Sequence, residues 1–289
     1  MTDPTRSRPG AKLGLMGFLK ILGPGVVTGA ADDDPSGIAT YSQTGAQFGF
    51  GQLWTALWQI PLLLAVQEAC ARIGSVSGKG LAGVIKEHYS SKILVGAVLL
   101  VLVANTINVG ADIGAVATAG QLVVNLPFVV LAIATAVLAA VLPVVLSYKR
   151  YAQYLKWMTL SLLAYPATAL IVKEPWGQIL YASFVPHIEF TFAFLFIITG
   201  VFGTTISPYM FFWQASQEVE EEIKTGVKTT GNGTPNLPRY YIRNMRIDNA
   251  VGMLGAEIIQ WFIIMTTATV LFSHGVKNIA TAADAAKAL

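Results

Sequence analysis

Long apolar runs alternate with short polar, basic segments through nearly the whole chain. A stretch of about 20 mostly apolar residues crosses a bilayer as a helix. Such runs fall at seven places, about 21–47, 53–73, 93–124, 128–146, 155–172, 192–213 and 251–272. The third is longer than a crossing needs, so it must tilt or project. Two of the runs are interrupted. The first meets Asp32, Asp33 and Asp34, followed at once by Pro35, Ser36 and Gly37. The sixth is interrupted at Gly203-Thr204-Thr205-Ile206-Ser207-Pro208. Proline removes a backbone donor and clashes with the preceding turn, so the pattern predicts that spans 1 and 6 break into half-helices. Residues 1–20 read as a polar tail, and Gly231 to Pro238 as a turn-rich linker.

Basic residues then set an orientation. All of the 19 lysines and arginines except Lys173, Lys277 and Lys287 fall on one side of the seven-span arrangement. Cytoplasmic loops carry the Lys/Arg excess, which places the N-terminal tail inside, the end of span 7 outside, and the protein in a plasma membrane. The chain is 54% hydrophobic and only 12% charged over 289 residues. A soluble domain carries roughly 25% charged residues, so the fold class is an all-α membrane protein. Cys70 is the single cysteine and forms no internal disulfide. Nothing in the pattern points to nucleic acid, and the sequence sets no oligomeric state.

Candidate chemistry centres on Asp34. Charge at membrane depth is expensive and usually faces a cavity or pathway. The Asp34 carboxylate and the carbonyls freed at the break, at Ala30 and Ala31, would converge on one spot, as half-helix ends do in midplane cation sites. An Asp-Pro helix cap explains the residue types but not their depth. Asp32 and Asp33 are expected either to face an outer vestibule or, for one of them, to be held protonated by burial. Beyond the break Thr40, Gln43 and Gln47 share a helical face, which suggests a water-filled path. Asn105, Asn108 and Asp112 share a face of span 3, either as a packing network or as an ion or proton pathway. Glu68 and Glu257 read as structural. The run Glu218 to Glu222 reads as a solvated helix end in an inside loop. The three histidines form no ligand cluster.

At these residues the chain resembles the Nramp family of divalent-metal transporters. The resemblance is carried by Gly23-Pro24-Gly25, the broken Asp34-Pro35 element, Gly45-Ala46-Gln47-Phe48-Gly49, Gly78-Lys79-Gly80-Leu81 and the Pro208 break. It covers Ile21 through span 7. It implies a LeuT-type fold of two inverted five-helix repeats, of which this chain would hold the first repeat and the start of the second. It also implies a metal site at Asp34, with carbonyl ligands at Ala31 and Thr204. Four positions depart from the family pattern. Gly37 stands where the motif has an asparagine, and Ser207 where span 6 has a methionine. Tyr209 replaces a histidine, and Ala115 replaces the second acid of the span 3 pair that Asp112 begins.

These departures point to a hard cation. Carboxylate, carbonyl and water suit Mg²⁺, Ca²⁺ or Mn²⁺, whereas thioether suits softer metals, and Mg²⁺ keeps several waters. The pattern is similar to the Nramp-related magnesium transporter branch. The expected function is uptake of Mg²⁺ or Mn²⁺ with weak or no proton coupling. Asp34, Ala31, Thr204 and Ser207 would serve as ligands, Gly37 would leave space, and Asp112, Asn108, Gln43 and Tyr209 are candidates for an ion or proton pathway. No resident cofactor and no catalytic residue are expected. The alternatives are a proton-coupled Mn²⁺/Fe²⁺ importer, a Mg²⁺-dependent prenyltransferase-like enzyme using Asp32 to Asp34, and a non-transporting protein on the same scaffold.

Overall fold

In the first interrupted run, the helix stops where Pro35 removes a backbone donor. The computed structural model describes residues 23–145, 159–226 and 235–277, and its regular structure is helical. Helix α1 spans Pro24–Asp32 and α2 spans Pro35–Phe48. Neither half, at 9 and 14 residues, is long enough to cross a bilayer alone. After a 3₁₀ turn come α3 (Trp54–Trp58) and α4 (Ile60–Ser77), the second span bent ahead of Pro61. Then follow α5 (Leu81–His88), α6 (Ser91–Val123) and α7 (Phe128–Val145). Helix α8 covers Ala164–Ile171 and α9 covers Trp176–Phe184. The sixth run divides into α10 (Phe192–Thr205) and α11 (Pro208–Thr225), and α12 runs from Arg239 to Val270.

Both breaks expected from proline are present. Three other features depart from the sequence reading. Short helices α5 and α9 occupy segments read as connections; eight or nine residues of mixed character are too few for periodicity to declare a helix. Helix α11 continues to Thr225, and α12 starts at Arg239 rather than near residue 251. The Glu218 to Glu222 run is not a solvated end. Glu218 and Glu222 are buried, and Glu218 accepts hydrogen bonds from Gln214 and Ser75. Only Glu220 of the run is exposed. The tail at 1–20, the start of span 5 and residues 231–234 of the linker lie outside the described residues.

A seam of small residues seats the broken first span on α12. A Cβ on Gly25 would lie 2.5 Å from the backbone N of Asn249. One on Gly29 would lie 2.3 Å from the carbonyl O of Gly252, and one on Gly45 2.4 Å from that of Ile264. The contacts advance together along both chains, so α1, α2 and α12 run parallel with backbones touching. Small residues permit such approach where lipid offers no hydrophobic drive. Asp248 adds a polar clasp, accepting from the N–H groups of Gly23 at 2.7 Å, Gly25 at 2.7 Å and Val26 at 3.3 Å. These are donors that a helix start leaves without intrahelical partners, and the carboxylate opposes the helix dipole there. Around this seam sit the buried side chains of Tyr41, Leu53, Val201, Ile263 and Ile264. By contrast α6 buries only Ala117, and its leucines and valines face outward.

Candidate cation site

Asp34 is the N-cap of α2, and its Oδ1 accepts from the Gly37 N–H at 2.7 Å. The Ser36 hydroxyl lies 2.6 Å from the same Oδ1 and 2.7 Å from Asn108 Oδ1. It has one proton, so it donates to one of these at a time. Oδ2 of Asp34 accepts from Asn108 Nδ2 at 2.9 Å and from the Tyr209 hydroxyl at 3.1 Å. Asp34 is thus surrounded by donors from three elements: its own break, α6, and the first turn of α11.

The other residues singled out from the sequence divide into two groups. Asn108, Asp112 and Tyr209 join Asp34. Asp112 Oδ1 accepts from the Ser36 N–H at 3.2 Å, and its Oδ2 from Asn108 Nδ2 at 3.5 Å. Gln43 does not join them; its amide donates to Gln47 and to the carbonyl of Lys277, both at 2.9 Å. Nine residues of helix, about 13 Å, separate it from Asp34.

The two breaks face each other. Tyr209 reaches Asp34 from immediately beyond Pro208, and the Tyr41 hydroxyl bonds Thr205 Oγ1 at 2.8 Å. Ser207 is the N-cap of α11, yet its side chain makes no cap hydrogen bond. It is 4% exposed, and Oγ has no partner at full hydrogen-bond geometry, although it interacts with the neighbouring Tyr209 hydroxyl. A buried hydroxyl oxygen with free lone pairs, two residues before the tyrosine that reaches Asp34, can accept a cation at little cost in lost bonds. Ala31 and Thr204 lie in the last turns of α1 and α10, where helix carbonyls lack intrahelical partners. Beside Gly37, a Cβ would meet the Asp32 carbonyl at 3.0 Å and the Tyr41 ring at 3.4 Å, so protein atoms fill that side. Among the described residues no three His, Cys, Asp or Glu side chains form a metal-holding group. The candidate site is the Asp34 carboxylate among neutral oxygens, with Asp112 linked to it through Ser36 and Asn108, a donor set that suits a hard cation.

Sequence reasoning missed a second polar layer. Asp32 and Asp33 do not face a vestibule; they are 2% and 6% exposed. Both Asp33 oxygens and Asp32 Oδ1 are buried without partners. Glu257 of α12 is buried too and accepts from Gln59 Nε2 at 2.9 Å. Gln59 Nε2 also lies 2.7 Å from Gln260 Oε1, and that oxygen accepts from Thr205 Oγ1 at 3.1 Å. Three acids are thus buried in one layer with few donors among the described residues, an arrangement that is costly for charged carboxylates. The signal was present in Glu257, an acid within the last apolar run, which carries a functional expectation by depth alone.

Comparison with known proteins places this geometry. The family model described as "Natural resistance-associated macrophage protein-like" matches residues 25–289. A divalent metal cation transporter MntH of Yersinia pestis is 26% identical over 279 residues, covering 92% of this chain and 63% of its own length. The MntH of Caldanaerobacter subterraneus is 24% identical over 270 residues, covering 90% and 60%. The chain therefore spans about three fifths of the length of these curated relatives. Among solved structures, a manganese transporter of Eremococcus coleocola, crystallised with an aromatic bis-isothiourea compound, superposes with a TM-score of 0.72 at 16% identity. It covers 91% of this chain and 54% of its own. That likeness establishes the fold that the family resemblance implied.

Proposed function

Because this chain belongs to the Nramp family, we propose that it is the ion-binding part of a divalent metal cation transporter and that its cargo is a hard cation, Mg²⁺ or Mn²⁺. The observation that carries the reading is the meeting of both helix breaks at Asp34, with Ser207 Oγ buried and short of a full-geometry hydrogen bond at the second break. Asp34 supplies the charge. Ser207 and the carbonyls of Ala31 and Thr204 supply neutral oxygens. The cation displaces Tyr209 and Asn108 Nδ2 from Asp34. A half-turn of the Asn108 amide then presents its oxygen, supplying from α6 the ligand type that Gly37 lacks. Alternating access moves the broken helices against the unbroken ones, with the N-terminal tail cytoplasmic.

Weak or absent proton coupling follows from Ala115 and Tyr209, positions without a titrating acid or imidazole. The second reading is a proton-coupled manganese importer. It is favoured by the bonded path from Asp34 through Ser36 and Asn108 to Asp112. Uptake of Mg²⁺ and Mn²⁺ into liposomes carrying a lumenal pH dye separates the two. The first reading expects metal entry without acidification and no entry with Asp34→Ala. Metal entry with strong lumenal acidification would establish the second.

A further inference from the structure

A basic groove lies between α4 and α12, well away from Asp34. It has a volume of about 450 Å³ and is lined by Leu64, Glu68, Arg243, Arg246, Ile247 and Ala250 among others. Arg246 Nε pairs with Glu68 Oε1 at 2.8 Å, and Arg72 Nη2 pairs with the same oxygen at 2.9 Å. One carboxylate therefore serves two guanidiniums. Among the described residues Arg243 has no ion-pair partner, and both Arg243 and Arg246 are exposed. They sit three residues apart on one face of α12, and Ile247 and Ala250 continue that face towards the apolar part of the helix.

The depth of these arginines follows from helix geometry. Gln59 bonds Glu257 and Thr205 at the level of the helix breaks, and α4 and α12 run antiparallel from there to the Glu68–Arg246 pair. Nine residues along α4 and eleven along α12 correspond to about 14–17 Å at 1.5 Å per residue. Half of a hydrocarbon core about 30 Å thick is close to the same distance. With the breaks at the midplane, the guanidiniums lie at headgroup level and Leu64, Ile247 and Ala250 lie at the level of the first acyl carbons.

We propose that this groove binds an anionic phospholipid. Arg243 and Arg246 would grip the phosphodiester, and one acyl chain would lie along Leu64, Ile247 and Ala250. Charge complementarity selects the headgroup, because three guanidiniums face one carboxylate. The guanidinium fork matches phosphate oxygens in pairs, and basic pockets between helices at the cytoplasmic face take anionic headgroups. The depth argument rests on the midplane reading of Asp34. Lipid binding is read without any metal, so its failure leaves that reading untouched.

The test is thermal unfolding of the purified protein in neutral detergent, with phosphatidylglycerol, phosphatidylcholine or inorganic phosphate added. Phosphatidylglycerol near a hundredfold its Kd should raise Tm by about 5 °C over phosphatidylcholine. R243Q/R246Q should abolish the difference, and inorganic phosphate should give none. R243Q breaks no ion pair, so it serves where the double variant unfolds early; it should lose at least half of the shift. An undiminished shift in R243Q would overturn the proposal. An equal shift with inorganic phosphate would assign the groove to a free anion instead.

Discussion

The two breaks use the same backbone device and leave their capping side chains in opposite states. At the first, Asp34 caps α2 and accepts bonds from four groups. At the second, Ser207 occupies the same N-cap position, caps nothing, and is buried with an oxygen short of a full-geometry hydrogen bond. Proline at the first helical position explains both breaks; it does not explain this difference. A cation arriving between them must compete for Asp34 but gains Ser207 at little cost. On the proposed reading, the donors from α6 and α11 leave Asp34 when a cation takes their place.

The strongest way to break the comparison is to remove the charge. Asp34→Asn keeps the cap and a coordinating oxygen but deletes the charge, and Mn²⁺ uptake into liposomes should fall by about 100-fold, since affinity for hard cations follows ligand charge. Ser207→Ala should weaken Mn²⁺ binding by about tenfold, near 1.4 kcal/mol, while leaving the metal-free melting temperature unchanged or higher. A fall in that temperature would mean the hydroxyl has a structural partner. Asn108→Ala should weaken binding by about fivefold, the scale of one hydrogen-bond-strength interaction; equal binding would remove the amide from the ligand set. The smallest effect has the opposite sign. Tyr209→Phe removes a competitor for Asp34, so binding should tighten by about threefold. Weaker binding would make the hydroxyl a ligand.

Much of this arrangement was legible in the sequence because proline acts locally. Pro35 and Pro208 fix the breaks whatever packs around them, and Asp34 declares itself by depth. The polar interior was less legible because burial is a tertiary property. Glu218, Glu222 and Asp248 look like loop charges in sequence, yet neighbouring helices cover them. The clasp of Asp248 on the start of α1 joins residues more than 200 positions apart. Its one local hint is the spacing of Gly25, Gly29 and Gly252, which allows the close approach. Gln43 shows a limit of the helical pattern. It shares the helical face of Thr40 and Gln47, but a shared face does not fix depth, and it bonds far from Asp34.

The metal is proposed to bind one carboxylate at the junction of two interrupted helices. Calorimetric titration of Mg²⁺ and of Mn²⁺ into the purified protein and into Asp34→Ala tests it most directly. Saturable binding near one ion per chain is expected for the native protein, and no measurable heat of binding for the variant. Equal binding by both would place the ion elsewhere and contradict that assignment.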